Sequence, residues 1–316
     1  MNSGIPLVSI ICTAFNQEKY IDQTLEGFVI QKTTFPFEII VHDDASTDNT
    51  PLRIKAFETR YPHLFVTIFQ SENQYSKGDY AIDRIVYGTA RGKYIALCEG
   101  DDYWTDPFKL QKQFDFLETN DDYGLVYSKV KIFSQKDNKI LKNTYGGPFS
   151  TIGDLFISNY IPTPTVMFKA SLYSDYIKTI NPYEQKWLMG DYPLWMYITS
   201  VSKVKYLDNT YSVYRLLDDS AAHSTNPLKE LMFVESYQDI KLYYMKRMGY
   251  DHLEKKIRGH CYSSKAHIYL FKNEQNVSEL TKDIDASGIR SIKIWIIRII
   301  IGNFILRKIL KSYWSL

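Results

Sequence analysis

Glu38–Thr50 reads EIIVHDDASTDNT: an apolar run that ends in two aspartates, followed by short polar residues suited to starting a helix. Phe37–Val41 (FEIIV) is one of four such runs, the others being Leu7–Thr13 (LVSIICT), Phe65–Gln70 (FVTIFQ) and Tyr94–Cys98 (YIALC). Continuous apolar stretches of this length mark strands buried on both faces. After the first, Ile21, Leu25, Phe28 and Val29 recur at helical spacing; after the second, Ser46–Thr50 and then Pro51 announce a helix, with Asp48 as a cap. Leu110, Phe114 and Leu117 mark another helix beyond Cys98. Strand and helix alternating in this order predict an α/β fold with a mostly parallel central sheet, flanked by helices and joined by right-handed crossovers.

Ligands of such sheets gather beyond the carboxyl ends of the strands. The residues there are Thr13-Ala14-Phe15-Asn16, His42-Asp43-Asp44-Ala45-Ser46, Ser71-Glu72-Asn73 and Glu99-Gly100-Asp101-Asp102. Acidic groups at two of these ends are predicted to meet. Asp101 and Asp102 suit a hard cation, Mg²⁺ or Mn²⁺, which takes one or two carboxylates and the phosphates of a bound nucleotide. Adjacent aspartates at a strand end also serve as plain turn residues. Asp44 offers an acceptor at the sheet's mouth for a base or ribose, and Thr13 and Asn16 add short polar groups beside it.

The chain has 316 residues with 38 basic and 36 acidic side chains, for a net charge of +2, and 45% of it is hydrophobic. That composition excludes a disordered or coiled-coil chain and gives no basic excess of the kind nucleic acid requires. The balance is uneven. From Ala286 to Leu316 there are six bases and no acid, so the remainder carries the difference, −4. Cys12, Cys98 and Cys261 lie far apart without metal-ligand spacing, which fits a reducing, cytoplasmic setting.

Further strands are predicted at Leu125–Phe133, near Thr165–Lys169 and near Ser212–Arg215, with a helix around Pro193–Ser200 and helical character from Asn226 onward. Boundaries near 120 and 222 divide the chain into a nucleotide-binding half (1–120), an acceptor-binding half of the same domain (121–222) and a helical C-terminal region (223–316).

The segments Val8–Asn16 (VSIICTAFN), Glu38–Thr50, Gly92–Lys109 (GKYIALCEGDDYWTDPFK) and Gly190-Asp191 together resemble family 2 nucleotide-sugar glycosyltransferases of the GT-A, Rossmann-like fold. The resemblance spans about residues 5–120 strongly, weakens toward 225 and stops there. It implies that Thr13, Ala14, Phe15 and Asn16 line a nucleotide pocket, that Asp44 contacts the base, and that Asp101 and Asp102 divide ribose and metal between them. Lys77 and Arg84 are the candidates for a cation near the diphosphate. Asp191 matches the acid used as catalytic base, the group that takes a proton from the attacking sugar hydroxyl. Tyr214–His223 resembles a segment that closes over the diphosphate, with Arg215 to neutralise it and His223 to complete the metal shell or hydrogen-bond the leaving phosphate. Trp187, Tyr192 and Trp195 could stack on the acceptor sugar or pack the core.

The activity implied is inverting transfer from a nucleotide diphosphate-sugar, UDP-sugar favoured, to a saccharide or lipid-linked acceptor in cell-surface polysaccharide synthesis. Two rivals are a sugar-nucleotide-forming nucleotidyltransferase, whose Gly-rich basic loop is missing from Thr13–Tyr20, and a non-catalytic carbohydrate- or membrane-binding module. A dehydrogenase would need GxGxxG after the first strand. In the tail, Ile292–Leu306 holds eleven apolar residues in fifteen, too few to span a bilayer. It suits an interfacial helix on the anionic inner face of the plasma membrane, or a helix packed on its own body or on a second subunit of a homo-oligomer.

Overall fold

The computed structural model describes residues 4–78, 80–217, 226–271, 299, 300, 303 and 306. The strands are β1 (Val8–Ala14), β2 (Phe37–Asp43), β3 (Phe65–Phe69), β4 (Tyr94–Leu97), β5 (Tyr103–Trp104), β6 (Tyr123–Ser134), β7 (Lys139–Tyr145), β8 (Met167–Lys169) and β9 (Lys203–Leu216). They form one sheet in the order β3-β2-β1-β4-β8-β6-β9-β5, with β7 hydrogen-bonded to β6. The first four are parallel neighbours, and β8 reverses direction between β4 and β6.

The apolar runs behave as their composition dictates. Val8, Ile10, Cys12, Ile39, Val41, Tyr94 and Ala96 are all inaccessible to solvent, and they pack with Ile21, Leu25 and Phe28 of the helix Ile21–Val29 and with Leu110 and Leu117 of the helix Lys109–Thr119. The elements not anticipated include the helices Ala81–Thr89 and Ala170–Ile180 and the strands β5 and β7. Both helices are amphipathic, but the first buries only Val86 and the second relies on tyrosines, a residue type spread along the whole chain. Strand β7 has no buried residue. The strand expected near Ser212–Arg215 extends back to Lys203.

One buried acid ties the sheet's amino-terminal edge together. Glu38, 3% exposed, accepts from Ser9 Oγ (2.6 Å), from the Arg91 backbone N–H (2.9 Å) and from Arg91 Nε and Nη2 (2.9 and 2.6 Å). Gly92 follows because a Cβ there would lie 2.5 Å from Ser9 N.

The described residues form two compact units. One comprises 4–186 with Gly190–Leu217 and contains the whole sheet. The other combines Trp187–Met189 with the helices Pro227–Arg247 and Glu254–Phe271, which Lys265 and Glu235 link at 2.6 Å. Among the described residues no helix is long and apolar enough to cross a membrane. The basic tail 286–316 lies outside the described residues except for 299, 300, 303 and 306.

Glu38→Ala would strand Ser9 Oγ and the Arg91 N–H inside the protein, and is expected to lower the unfolding free energy by about 3 kcal/mol. Urea unfolding measures this; an unchanged midpoint would contradict it.

Candidate active site

The loops after β1, β2 and β4 converge as parallel pairing requires. Ala14 is in register with Asp43, Asp44 N donates to Ala14 O (2.9 Å), and Gly100 N donates to Thr13 O (3.0 Å). Gly100 is closely packed, since a Cβ there would fall 2.2 Å from Gln17 Oε1, 3.0 Å from Ile21 Cδ1 and 3.2 Å from Ala14 Cβ. Thr13, Ala14, Asp44 and Glu99–Asp102 therefore meet at one edge. Phe15 is 46% exposed beside them.

The acidic loop is tightly built. Thr24 Oγ1, itself buried, lies 2.9 Å from Gly100 O and 2.6 Å from Asp102 O. Arg215 at the end of β9 donates its backbone N–H to Asp102 Oδ1 (2.8 Å) and its Nε–H to Asp101 O (2.8 Å). Asp102 Oδ2 accepts no hydrogen bond from the described residues. Burial pushes Asp102 well above the usual carboxylate range, with Asp101 and Glu99 adding to it. Burial also raises Asp101, while its own backbone N–H and Arg215 pull it down. Glu99 is pushed up to about 8 by burial first and then by Asp101 and Asp191.

Asp191 begins the helix Asp191–Val201, two residues before its expected start. Its Oδ2 accepts from Thr163 Oγ1 (2.8 Å) and its Oδ1 from the Tyr192 N–H (2.6 Å). Burial raises its proton affinity, and these two donors hold it down. Asp83, unremarked in the sequence, sits beside it. A Cβ at Gly190 would lie 3.2 Å from Asp83 Oδ2, and Asp83 is raised to about 6 by burial and by Asp191. Nothing in the residues near Asp83 marks it, because the helix that carries it, Ala81–Thr89, was not legible and its neighbour is 108 positions away. Thr163 and Glu99 were likewise given no role; Thr163 stands in a turn identified only by its fold.

The other expected site residues also make contacts within the protein. Arg215 does not offer a free fork: Nη1 donates to Gln135 Oε1 (3.0 Å), Nη2 to Gln23 Oε1 (2.7 Å), and the guanidinium lies over the rings of Tyr20, Tyr103 and Phe133 at 4.8–5.3 Å. It braces the acidic loop from behind, next to a cavity of about 300 Å³. Asp44 accepts from the Gln74 N–H (2.7 Å) and the Tyr75 N–H (3.0 Å), so its oxygens already hold the turn after β3. Asn16, at φ 53°, uses its side-chain oxygen on Thr47 N (2.8 Å) and joins two loops. Lys77 is engaged by Glu72 (3.1 Å) and Gln74 (3.2 Å). Arg84 lies over the Tyr183 ring (5.2 Å) and draws Asp83 downward, which puts it near the acids.

Trp195 is wholly buried against Phe168, so its faces are closed to a sugar. Tyr192 is equally buried, its hydroxyl donating to Leu155 O (2.6 Å). Trp187 packs inside the second unit against Tyr243 and Tyr244. Asp48 accepts from Thr50 N and Oγ1 (2.9 and 2.6 Å) and from Glu18 N (3.1 Å), though the cap position itself is Asn49. His223 lies outside the described residues.

A mostly parallel sheet with acids gathered at its carboxyl edge is the GT-A architecture. Its likeness in fold extends to S. aureus TarS in complex with UDP-GlcNAc (16% identity, 88% of this chain and 79% of that one, TM-score 0.57). It extends also to the mannosyltransferase PcManGT from Pyrobaculum calidifontis in complex with GDP-Man and Mn²⁺ (12% identity, 98% and 88%, TM-score 0.56). The pattern of glycosyl transferase family 2 matches residues 9–185, and the chain belongs to that family. Among curated relatives, an Escherichia coli UDP-Glc:alpha-D-GlcNAc-diphosphoundecaprenol beta-1,3-glucosyltransferase, WfaP, is 31% identical over 229 residues, 72% of this chain and 83% of that protein. An uncharacterized Mycobacterium tuberculosis protein is 38% identical over 179 residues, 55% of this chain. The match spans about half of that relative's length, 51%.

Because folded Asp83 keeps its proton to about pH 6 and the unfolded group only to about 3.8, it favours folding at low pH, and that contribution is lost as pH rises through this window. Asp83→Asn removes the loss. The variant's urea midpoint is expected to gain on the wild type between pH 4 and 7; a constant difference would contradict it.

Proposed function

We propose that the chain is an inverting glycosyltransferase that moves a hexose from a UDP-sugar to a hydroxyl of a lipid-linked saccharide during cell-surface polysaccharide synthesis. The observation that carries the reading is the approach of two kinds of carboxylate at one sheet edge: the braced pair Asp101-Asp102 and the separate Asp191. The family supports glycosyl transfer. The E. coli relative's named donor, UDP-Glc, and its GlcNAc-diphosphoundecaprenol acceptor support a UDP-sugar and a lipid-linked acceptor here.

In this reading the donor's nucleotide lies against Thr13, Ala14 and Phe15, with Asp44 near the base and its diphosphate toward Asp101 and Asp102. Among the described residues no three acidic, histidine or cysteine side chains form a ready cation cage. The donor set still fits Mg²⁺ or Mn²⁺, which are commonly held by one or two carboxylates with the substrate's own phosphates, and Asp102 Oδ2 accepts no hydrogen bond from the described residues. Asp101 and Asp102 would hold that cation, and the chemistry it supplies is neutralisation of charge on the departing diphosphate.

Asp191 takes the proton of the acceptor hydroxyl as that oxygen bonds to the anomeric carbon. The bond from that carbon to the diphosphate breaks on the opposite face, its electron pair leaving with the phosphate oxygen, so configuration inverts. A base with raised proton affinity suits this transfer, because its product carboxylic acid is not strongly disfavoured. A lipid-linked acceptor would bring the enzyme to the inner face of the membrane, where the basic, apolar tail is suited to anionic lipid.

Asp191→Asn is expected to cut UDP release from UDP-glucose, with a GlcNAc-diphosphate lipid as acceptor, by about 10³-fold while UDP binding persists. Near-normal turnover would overturn the assignment of the base.

A further inference from the structure

The base reaches its place through a turn that other side chains grip from several sides. Thr163–Thr165 forms a 3₁₀ turn, and Thr163 Oγ1 donates to Asp191 Oδ2 at 2.8 Å. Pro164 O, next in the chain, accepts from Trp104 Nε1 (2.7 Å) and from Ser212 Oγ (2.9 Å). Thr165 O accepts from Gln113 Nε2 (2.7 Å), and Thr165 Oγ1 donates to Pro162 O (2.7 Å) while the Ser128 N–H approaches it at 3.3 Å. Lys109 lies beneath, its Nζ 3.9 Å from the Trp104 ring centroid and 2.9 Å from Gln113 Oε1. Trp104 is 2% exposed, and Ser212, Gln113, Thr165 and Lys109 are wholly buried.

Burying so many polar groups is costly unless each is satisfied, and here the satisfied network has one outlet, the half-buried hydroxyl of Thr163. Trp104 is also the second residue of β5, directly after Asp102, and is paired with Ser212 of β9. The indole that holds the threonine turn is therefore two residues from the acid pair, on a strand anchored to the one that carries Arg215.

We infer that Thr163 is a positioning residue for Asp191, and that the Trp104–Pro164 hydrogen bond sets the base and the acid pair in one rigid frame. This rests on Asp191 being the base, as proposed above. The hydroxyl orients Oδ2 and leaves the carboxylate two lone-pair directions for the acceptor's proton. A Tyr192 N–H fixes the other oxygen. Burial acts against the ionisation of Asp191, and the other titratable groups facing it are the carboxyls Asp83 on the helix Ala81–Thr89 and Glu99 after β4 and the neutral phenols Tyr87 and Tyr214, each of which Asp191 raises. Arg84 bears on Asp83. Thr163 is thus the one side chain among three donors, with the Tyr192 and Asp191 backbone N–H groups, that favour the ionised base.

The test is a ¹³C NMR titration of the Asp191 carboxyl in the full chain, assigned by its loss in Asp191→Asn, alongside turnover with UDP-glucose and a GlcNAc-diphosphate lipid. Thr163→Val is expected to move the midpoint to higher pH and to lower kcat about tenfold or more, with KM for the donor unchanged. Thr163→Ser is expected to restore both, and Thr163→Ala serves if valine strains the turn. An unmoved midpoint and wild-type kcat in both Val and Ala variants would overturn the inference while leaving the transfer reading intact. Normal turnover in Asp191→Asn would instead sink the reading on which it rests.

Discussion

Placing Asp101 and Asp102 side by side with Glu99 in a poorly solvated loop is unfavourable, and the protein meets that cost through Arg215. Its backbone N–H and Nε–H fix one carboxylate and one carbonyl, and its charge offsets the acids. Stacking among Tyr20, Tyr103 and Phe133 and bonding to Gln23 and Gln135 leave the guanidinium little freedom. A preorganised acid pair needs no rearrangement to receive a cation and a diphosphate, which is how such sites favour charge separation. Everything around the loop follows from the need to hold it: Thr24 beneath, Gly100 pressed on Gln17, Trp104 tied to Pro164.

The parallel half of the fold was legible because its four strands are continuous apolar runs, and the observed strands differ from those expected by only a residue or two at their ends. The acids at the strand ends were legible for the same reason: topology places the residues after each run at a common edge. What could not be read was how individual side chains spend their hydrogen bonds. Arg215 and Asp44 were expected at the diphosphate and the base from a resemblance and from a place at the sheet's mouth; both are also engaged by the protein, one with glutamines and a loop carbonyl, the other with the turn after β3. Trp195 illustrates a different limit, since a tryptophan in a helix reads alike whether it faces solvent or, as here, Phe168.

Asp83 and Thr163 show the complementary failure. Neither belongs to a recognisable motif, and each acquires meaning only from a partner that the sequence separates by 108 and 28 positions. Asp191 raises the proton affinity of Asp83, whereas the Thr163 hydroxyl favours the ionised form of Asp191 against the burial that raises it, so the proposed base and its neighbours titrate as one group of interacting residues.

The central claim is that the acid pair at the end of β4 exists to take a cation together with a nucleotide diphosphate. Calorimetric titration of UDP into the protein, with Mn²⁺ and with EDTA, in buffers of differing ionisation enthalpy, tests it most directly. Burial raises the proton affinity of Asp102, and a carboxyl must be ionised to ligate, so UDP binding should require Mn²⁺ and be accompanied by proton release, and Asp102→Asn should abolish both effects. Equal UDP affinity in Mn²⁺ and EDTA, with no proton release, would contradict the account.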